Sequence, residues 1–388
     1  MKIFVTGIGV ISAIGLNVEE NLNSLKSLRT GLSRSSEYGV ITGQVALSNK
    51  ELAQNFTNKD EDYSRTTLLA LPAAKEAWGT NIHDERILTG LISSTSVGGM
   101  DRTEKYYFDS RDNSAIDNSY LMVHDNGRTT EQLASELGIS GYISTISTAC
   151  SSGANAIMQA ARLIEGNKLD RVIAGGSEPL ALFDVKGFSS LNIYDSEICK
   201  PFDEKRNGLN LGEGAAFLLL ENEKSLTITG NTPLCVLSGW NNATDAFHQT
   251  ASSPDGKGAY LAMIHALKKA GILPAEIDYI NAHGTGTGNN DLSESMALQK
   301  VFGDQLPPFS STKGFTGHTL AAAGSIEAVY CIVALKEQAT LPNVNFSKPM
   351  SETGFVPEKN FHSAKINYVL SNSFGFGGNC SCLIFNTA

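Results

Sequence analysis

Three short segments of this chain place a side chain fit for acid, base or nucleophilic chemistry among very small residues. In STACSSGA, Cys150 follows the apolar run ISTIS (143–147) and precedes SSGANAIMQAARLIEG. That order predicts a strand, a turn and a helix, with the cysteine at the helix N-terminus, where unpaired N–H groups and the macrodipole favour thiolate and lower its pKa. Ser151, Ser152, Gly153 and Ala154 leave room for a bulky acyl group and let backbone N–H groups approach its carbonyl. In NAHGTGTGNNDLSESMAL, His283 ends a predicted strand and enters a glycine–threonine loop whose hydroxyls can line a narrow channel. In STKGFTGHTLAAAG, Lys313 and His318 lie on a glycine-rich turn before a helix. A fourth segment, SNSFGFGGN, alternates Phe374 and Phe376 with glycines and exposes backbone N–H groups beside two apolar plates. A single buried cysteine or histidine is ordinarily structural. Three such residues, each on a small-residue turn, form a constellation suited to nucleophilic acyl transfer.

The elements around these turns read as alternating strands and helices. Strands are expected at 2–6, 171–176, 214–222, 235–240 and 277–284, and helices at 17–28, 64–78 with a kink at Pro72, and 256–271. Strands and helices also alternate between about 88 and 150. The segment SSTKGFTGHTLAAAGSIEAVYCIVALKEQ mirrors ISTACSSGANAIMQAARLIEG: short strand, small-residue loop with one reactive side chain, long helix. An α/β fold of two duplicated β/α halves follows, residues 1–228 carrying Cys150 and residues 229–388 carrying both histidines. Loops at the strand ends of the two halves would then converge where the halves meet.

Composition narrows the function classes. The 388 residues with 41% hydrophobic content and 11 prolines describe an ordered globular chain. A net charge of −10 argues against non-specific nucleic-acid binding. MKIFVTGIGVISAIG reads as a first strand and not as a signal peptide, and no run reaches the length of a membrane span, so a cytosolic protein is expected. The six cysteines show no CxxC pair and read as reduced thiols. GIGVISAIG has Ser12 where a dinucleotide fingerprint needs its third glycine, GTGTG lacks the Lys-Ser/Thr of a phosphate loop, and no G-x-S-x-G occurs. Zinc on Cys150, His283 and His318 would quench the thiolate, and no fourth ligand adjoins the motifs. His83, His124, His248, His265 and His362 have no comparable context and read as structural or surface residues.

TACSSG, NAHGTGT, KGFTGH and NSFGFGG, in that order, resemble the elongating β-ketoacyl–acyl-carrier-protein synthases, the Cys-His-His branch of the thiolase superfamily. The resemblance runs along essentially the whole chain, from VTGIGVISAIG through KPFDEKRNGLNLGEGAAFLLLE and TDAFHQTASSPDGKG. It implies a duplicated thiolase-like fold in α-β-α-β-α layers, no cofactor, no metal, and a cytoplasmic enzyme. It implies that Cys150 takes an acyl group from a carrier-protein thioester, with the N–H groups of Cys150 and Phe376 holding the oxyanion. His283 and His318 match the pair that stabilises the enolate formed when malonyl thioester loses CO₂. Lys313 and Glu294 match a buried ion pair beside them. Thr250, Thr285 and Thr287 match contacts to the pantetheine arm, Phe376 a gate beside the nucleophile with Phe374 next to it, and Lys205 and Arg206 a dock for the acidic carrier. A homodimer is implied, or a heterodimer with a paralogue. The rival reading is a non-catalytic subunit that sets chain length for an active paralogue, but such partners lose the cysteine. Initiating synthases carry Asn in place of His318. Asn379 and Cys380 stand where the family shows Thr-Asn, and the loop around 30–45 is trimmed. Both departures point to a specialised paralogue, in polyene or polyketide assembly, over housekeeping fatty-acid elongation.

Overall fold

The computed structural model describes residues 1–58, 62–81, 83–111 and 118–388. Residues 112–117, within the stretch read as alternating strands and helices, lie outside the described residues. The central sheet is built from β1 (Phe4–Ser12), β2 (Thr89–Ser94), β3 (Tyr142–Ile146), β4 (Arg171–Glu178) and β5 (Gly214–Glu221), then β6 (Cys235–Thr244), β7 (Tyr279–Asn281), β8 (Phe309–Ser310), β9 (Tyr368–Gly375) and β10 (Asn379–Asn386). Across the sheet the order is β8-β7-β9-β10-β6-β1-β5-β4-β2-β3. Outward from the seam the first five strands run 1-5-4-2-3 and the last five 6-10-9-7-8, so the second half repeats the first. The directions repeat too. β2 is parallel to β3 and β4, as β7 is to β8 and β9, and the other pairs within each half are antiparallel. At the seam β1 meets β6 through two residue pairs, Phe4↔Val236 and Val5↔Cys235.

Seven helices complete the frame: α1 (Arg65–Trp78), α2 (Asn126–Leu137), α3 (Ser152–Glu165), α4 (Leu182–Ser190), α5 (Lys257–Ala270), α6 (Gly288–Phe302) and α7 (Ala323–Glu337). The central pair, α3 and α7, lies between the halves. α3 packs on β4 and β2 and also on β10 and β6, while α7 packs on β9 and β10 and also on β5 and β1. Every residue of α7 from Ala323 to Leu335 is buried, as expected of a helix that is apolar on all sides. Fully buried Ile157, Ile164, Val329 and Ile332 contribute about 1.5–3 kcal/mol each to holding this layer. The two helices approach so closely that a Cβ on Gly153 would lie 2.7 Å from Ser325 N, and one on Gly324 2.8 Å from Ala154 N. Helices α1 and α2 cover the outer face of the first half, and α5 that of the second with α6 packed beside it. Five layers result, the α-β-α-β-α arrangement expected.

α1 runs from Arg65 to Trp78 with Pro72 inside it, within a residue of the expected 64–78. Two other local expectations are revised. β1 extends through Ser12 and pairs with β5 along its length, which makes GIGVIS ladder and not a phosphate-binding turn. β7 spans only Tyr279–Asn281 because the N–H groups of His283 and Gly284 leave the ladder for the Glu294 carboxylate. No helix among the described residues is long and apolar enough to cross a membrane.

Candidate active site

Cys150 stands on a bent turn. After β3 the chain reaches Ala149, whose φ of 52° places a non-glycine residue in the left-handed region, and α3 starts at Ser152. Such a conformation costs roughly 1–3 kcal/mol and persists where its surroundings over-determine it. Cys150 is buried between this turn and the Phe374–Gly378 turn of the other half. A Cβ on Gly375 would lie 2.8 Å from Thr148 O and 3.2 Å from Cys150 N, so only glycine allows the two turns to meet. Burial pushes the Cys150 thiol up to about 11. The N–H groups of Phe376 and of Cys150 itself and the Lys313 charge pull the other way, and Glu178 adds to the rise. This corrects the lowered thiol expected from a helix N-terminus: with the sulfur out of water, desolvation outweighs the donors around it.

The histidines come from the second half. Two carboxylates of α6 shape the loop after β7. Glu294 accepts from His283 N at 2.9 Å and Gly284 N at 2.8 Å, and Asp291 from Thr285 N at 3.0 Å and Phe202 N at 2.8 Å. The rings of His283 and His318 are 5.3 Å apart at 85°, and His283 lies 5.5 Å from Phe374. Lys313 Nζ donates to His283 O at 2.6 Å and lies 3.3 Å from His283 Nδ1. Lysine has only donors to offer, so Nδ1 is the acceptor and the proton of the neutral ring sits on Nε2. Burial, followed by the Lys313 charge, holds both imidazoles well below their usual range, so they are neutral at pH 7. The ion-pair partner of Lys313 is Glu327, not Glu294 as expected. Glu294 spends its oxygens on backbone N–H groups and on Asn372 Nδ2 at 3.1 Å, whereas Glu327 projects from α7 against the ammonium. Both carboxyls are raised by burial to about 7.

Cys150, His283 and His318 open into one cavity of about 260 Å³. Thr250, Thr285 and Thr287 line it together with Phe374 and Phe376. Thr285 and Thr287 share a hydroxyl hydrogen bond of 2.9 Å. Phe376 stacks on Phe188 of α4, ring centroids 5.6 Å apart and 13° from parallel. Arg206 donates to Gly288 O, a residue of the cavity wall, at 3.2 Å, and exposed Lys205 precedes it. Lys200 pairs with Glu197, and Arg128 with Glu131. Arg65 is bound by Glu213 at 2.5 Å.

Sequence reasoning missed Glu327, Phe188, Glu178, His248 and Cys380. Glu327 carried a signal, as a lone carboxylate in the apolar run of α7. Glu178, at the end of an apolar strand, accepts from the N–H groups of Ser96, Val97 and Ala321 and so ties β4 to the segment after His318. His248 and Cys380 line the cavity although nothing around them in the sequence marks them. Among the described residues no group of three or more His, Cys, Asp or Glu could hold a metal ion.

Comparison with known proteins identifies the family. The 3-oxoacyl-[acyl-carrier-protein] synthase 2 of Staphylococcus aureus (strain N315) is 32% identical over 99% of this chain and 98% of its own. The synthase 2 of Coxiella burnetii is 30% identical over 99% and 98%. Among solved structures, the ishigamide ketosynthase/chain length factor superposes with a TM-score of 0.94 at 27% identity, covering 100% of this chain and 99% of that one. A ketosynthase in complex with its chain length factor from Xenorhabdus doucetiae gives 0.85 at 31%, covering 100% and 98%. Residues 1–225 match the family model for the beta-ketoacyl synthase N-terminal domain and residues 234–347 that for the C-terminal domain, and with its cysteine and two histidines in one cavity the chain belongs to the β-ketoacyl synthase family.

Proposed function

We propose that this chain is an acyltransferase that carries out decarboxylative Claisen condensation. It joins an acyl group held on Cys150 to malonyl–acyl-carrier protein and forms a β-ketoacyl–acyl-carrier protein in fatty-acid or polyketide elongation. The observation that carries this reading is the meeting of Cys150 with two neutral histidines in one cavity, across the junction of the halves. In the first half-reaction the Cys150 sulfur attacks the carrier thioester. The new C–S bond forms as the old one breaks, and the thiol proton leaves with the departing pantetheine sulfur. The N–H groups of Cys150 and Phe376, which act on the sulfur at rest, hold the oxyanion. In the second, malonyl thioester loses CO₂ and its electron pair becomes an enolate. The enolate oxygen takes hydrogen bonds from Nε2–H of His283 and from His318, while Lys313 fixes the His283 tautomer from the far side. The enolate carbon then attacks the acyl-Cys150 carbonyl, and the released thiolate takes a proton from solvent. Thr250, Thr285 and Thr287 serve the pantetheine arm. Glu294 acts by positioning the His283 loop, and the two lobes, 1–228 and 229–388, contribute nucleophile and enolate binding respectively.

The carrier docks at Lys205 and Arg206, beside the cavity wall. The outer strand β3 exposes Tyr142 and Ile143 at 41% each on the sheet's open edge, which supports association of two cytoplasmic copies, or of this chain and a paralogue, through that edge. Light scattering on the purified chain decides between these, because a chain that needs a paralogue stays monomeric alone. Intact-protein mass spectrometry after exposure to carrier-bound acyl groups tests the function: a single adduct on Cys150 is expected, and its mass names the preferred acyl group. Exchanging Lys205 and Arg206 for Glu should slow the adduct from carrier-bound donors, less so at high salt, and spare a small acyl-pantetheine donor. No adduct from any donor would defeat the assignment.

A further inference from the structure

The turn that carries Cys150 is fastened to the closing strands of the other half by side chains with no part in the steps above. Asn379, the first residue of β10, follows the Gly377–Gly378 turn that leads on from Phe376. Its Oδ1 accepts from Asn155 Nδ2 at 2.8 Å and from Ser151 Oγ at 2.9 Å. Ser381 Oγ, two residues along β10, donates to Asn155 Oδ1 at 3.0 Å. Asn155 Nδ2 also reaches Thr148 Oγ1 at 2.8 Å, so the bonds pass from β10 through α3 to the residue two before the nucleophile. Thr148 is held a second time: its N–H donates to Ser152 Oγ at 2.8 Å, and its carbonyl accepts from Ser151 Oγ at 2.7 Å.

Only Ala149 and Cys150 lie between these anchors, and Ala149 is the residue in the left-handed region. A strained residue stays put when both its flanks are pinned. The same strand fixes the other reacting group. Asn379 pairs with Gly375 across the β9–β10 hairpin, and the N–H of Phe376, next to Gly375, acts on the Cys150 sulfur. One amide oxygen therefore joins the arm that presents the sulfur to the arm that presents its donor. The histidines are anchored elsewhere, through Glu294 and the Lys313–Glu327 pair.

We propose that Asn379 is a positioning residue for the acyl-transfer half-reaction, setting the separation of Cys150 Sγ from the Phe376 N–H through Ser151 and Asn155. The proposal rests on the condensing reading above. Full-length Asn379→Ala should form the Cys150 adduct at least about tenfold more slowly at saturating carrier-bound donor, with KM little changed and malonyl decarboxylation within about twofold of wild type. Asn379→Asp keeps the shape and the acceptor and should recover the rate to within about threefold. Ser151→Ala removes one donor without touching β10, should show a smaller loss of the same kind, and decides the matter if Asn379→Ala does not fold. Wild-type acylation in Asn379→Ala, proportional loss of both half-reactions, or an Asp variant no better than Ala would each overturn the proposal. A wild-type chain that neither forms an adduct nor releases CO₂ would instead defeat the condensing reading, a result distinct from an active enzyme indifferent to position 379.

Discussion

Cys150 and His318 occupy matching turns in the two halves, one after β3 and the other after β8, each leading into a buried central helix. Both turns bend through a non-glycine residue with positive φ, Ala149 at 52° and Leu320 at 47°. They are held by opposite means. The cysteine turn is clasped by hydroxyls and amides, from Thr148, Ser151, Ser152, Asn155 and Asn379. The histidine side is clasped by buried ionisable groups: Lys313 on Glu327, Glu294 on the His283 loop, Asp291 on Thr285. An uncharged clasp holds the nucleophile in place without forcing it to ionise. A buried ammonium beside the imidazoles penalises their protonation and keeps their N–H groups available as donors. The duplicated scaffold thus hosts two electrostatic environments on one cavity, matching the two half-reactions proposed above.

The sharpest way to break this comparison is to remove one side. Cys150→Ala should abolish acyl transfer, a loss of about 10⁴-fold or more, yet retain malonyl decarboxylation because the donors for the enolate remain. His318→Ala should do the reverse and keep the Cys150 mass adduct. Equal loss of both activities in both folded variants would show that the halves do not divide the chemistry.

Next in size is the buried charge. Lys313→Met should lower decarboxylation by about 100-fold, since His283 loses the contact that holds its tautomer, while acylation changes only a few-fold. It should also lower the melting temperature, as breaking a buried pair from one side costs roughly 3–5 kcal/mol. Combining Lys313→Met with Glu327→Gln should restore melting without restoring the rate. If the double variant regains activity, Lys313 acts only as structure.

What the sequence disclosed and what it withheld follow the same division. Cys150, His283, His318 and Phe376 were legible because each sits in a run of tiny residues, a pattern with local cause. The doubling was legible in the matched strand–turn–helix segments around Cys150 and His318. The partner of Lys313 was not, because a carboxylate eleven residues past His283 and one within α7 are equally plausible until the helices are placed. Only tertiary packing sends Glu294 to the backbone of His283 and Glu327 to the ammonium. The stack of Phe188 on Phe376 likewise joins residues of different halves with no local signal. The thiol was misjudged for a related reason: a helix N-terminus is visible in sequence, but the depth at which it is buried is not.

That misjudgement makes the resting state of the thiol testable. With Cys150 raised to about 11, thiolate is a minor form at neutral pH and its fraction grows about tenfold per pH unit. Alkylation by iodoacetamide should therefore climb about 100-fold from pH 7 to 9 without a plateau. Decarboxylation by Cys150→Ala should lose nothing to imidazole protonation from pH 8 down to 6.5, because both imidazoles, held below their usual range, are neutral throughout, and any change in that window belongs to the carboxyls of Glu294 and Glu327, raised to about 7. A plateau in alkylation near pH 7 would mean that the clasp does stabilise thiolate and that the two environments differ less than their contacts indicate.

The smallest effect concerns the contact that spans the two halves. Phe376 lines the cavity beside Cys150, and its ring is stacked on Phe188 of α4, so moving it aside breaks an aromatic contact as well as turning Gly377 and Gly378, both at φ 83°. If Phe376 is the gate proposed from its place beside Cys150, the two glycines supply the backbone freedom to swing its ring. Phe376→Ala removes the ring but keeps the backbone N–H that acts on the Cys150 sulfur. It should speed iodoacetamide alkylation of Cys150 about fivefold while leaving acylation by carrier-bound donors within a few-fold. Phe188→Ala removes only the surface on which the ring rests and should speed alkylation about twofold, since the closed position is then less favoured. Unchanged alkylation in Phe376→Ala would mean that access to the sulfur is limited elsewhere along the threonine-lined channel. A larger effect from Phe188→Ala than from Phe376→Ala would move the gate from the glycine turn to α4.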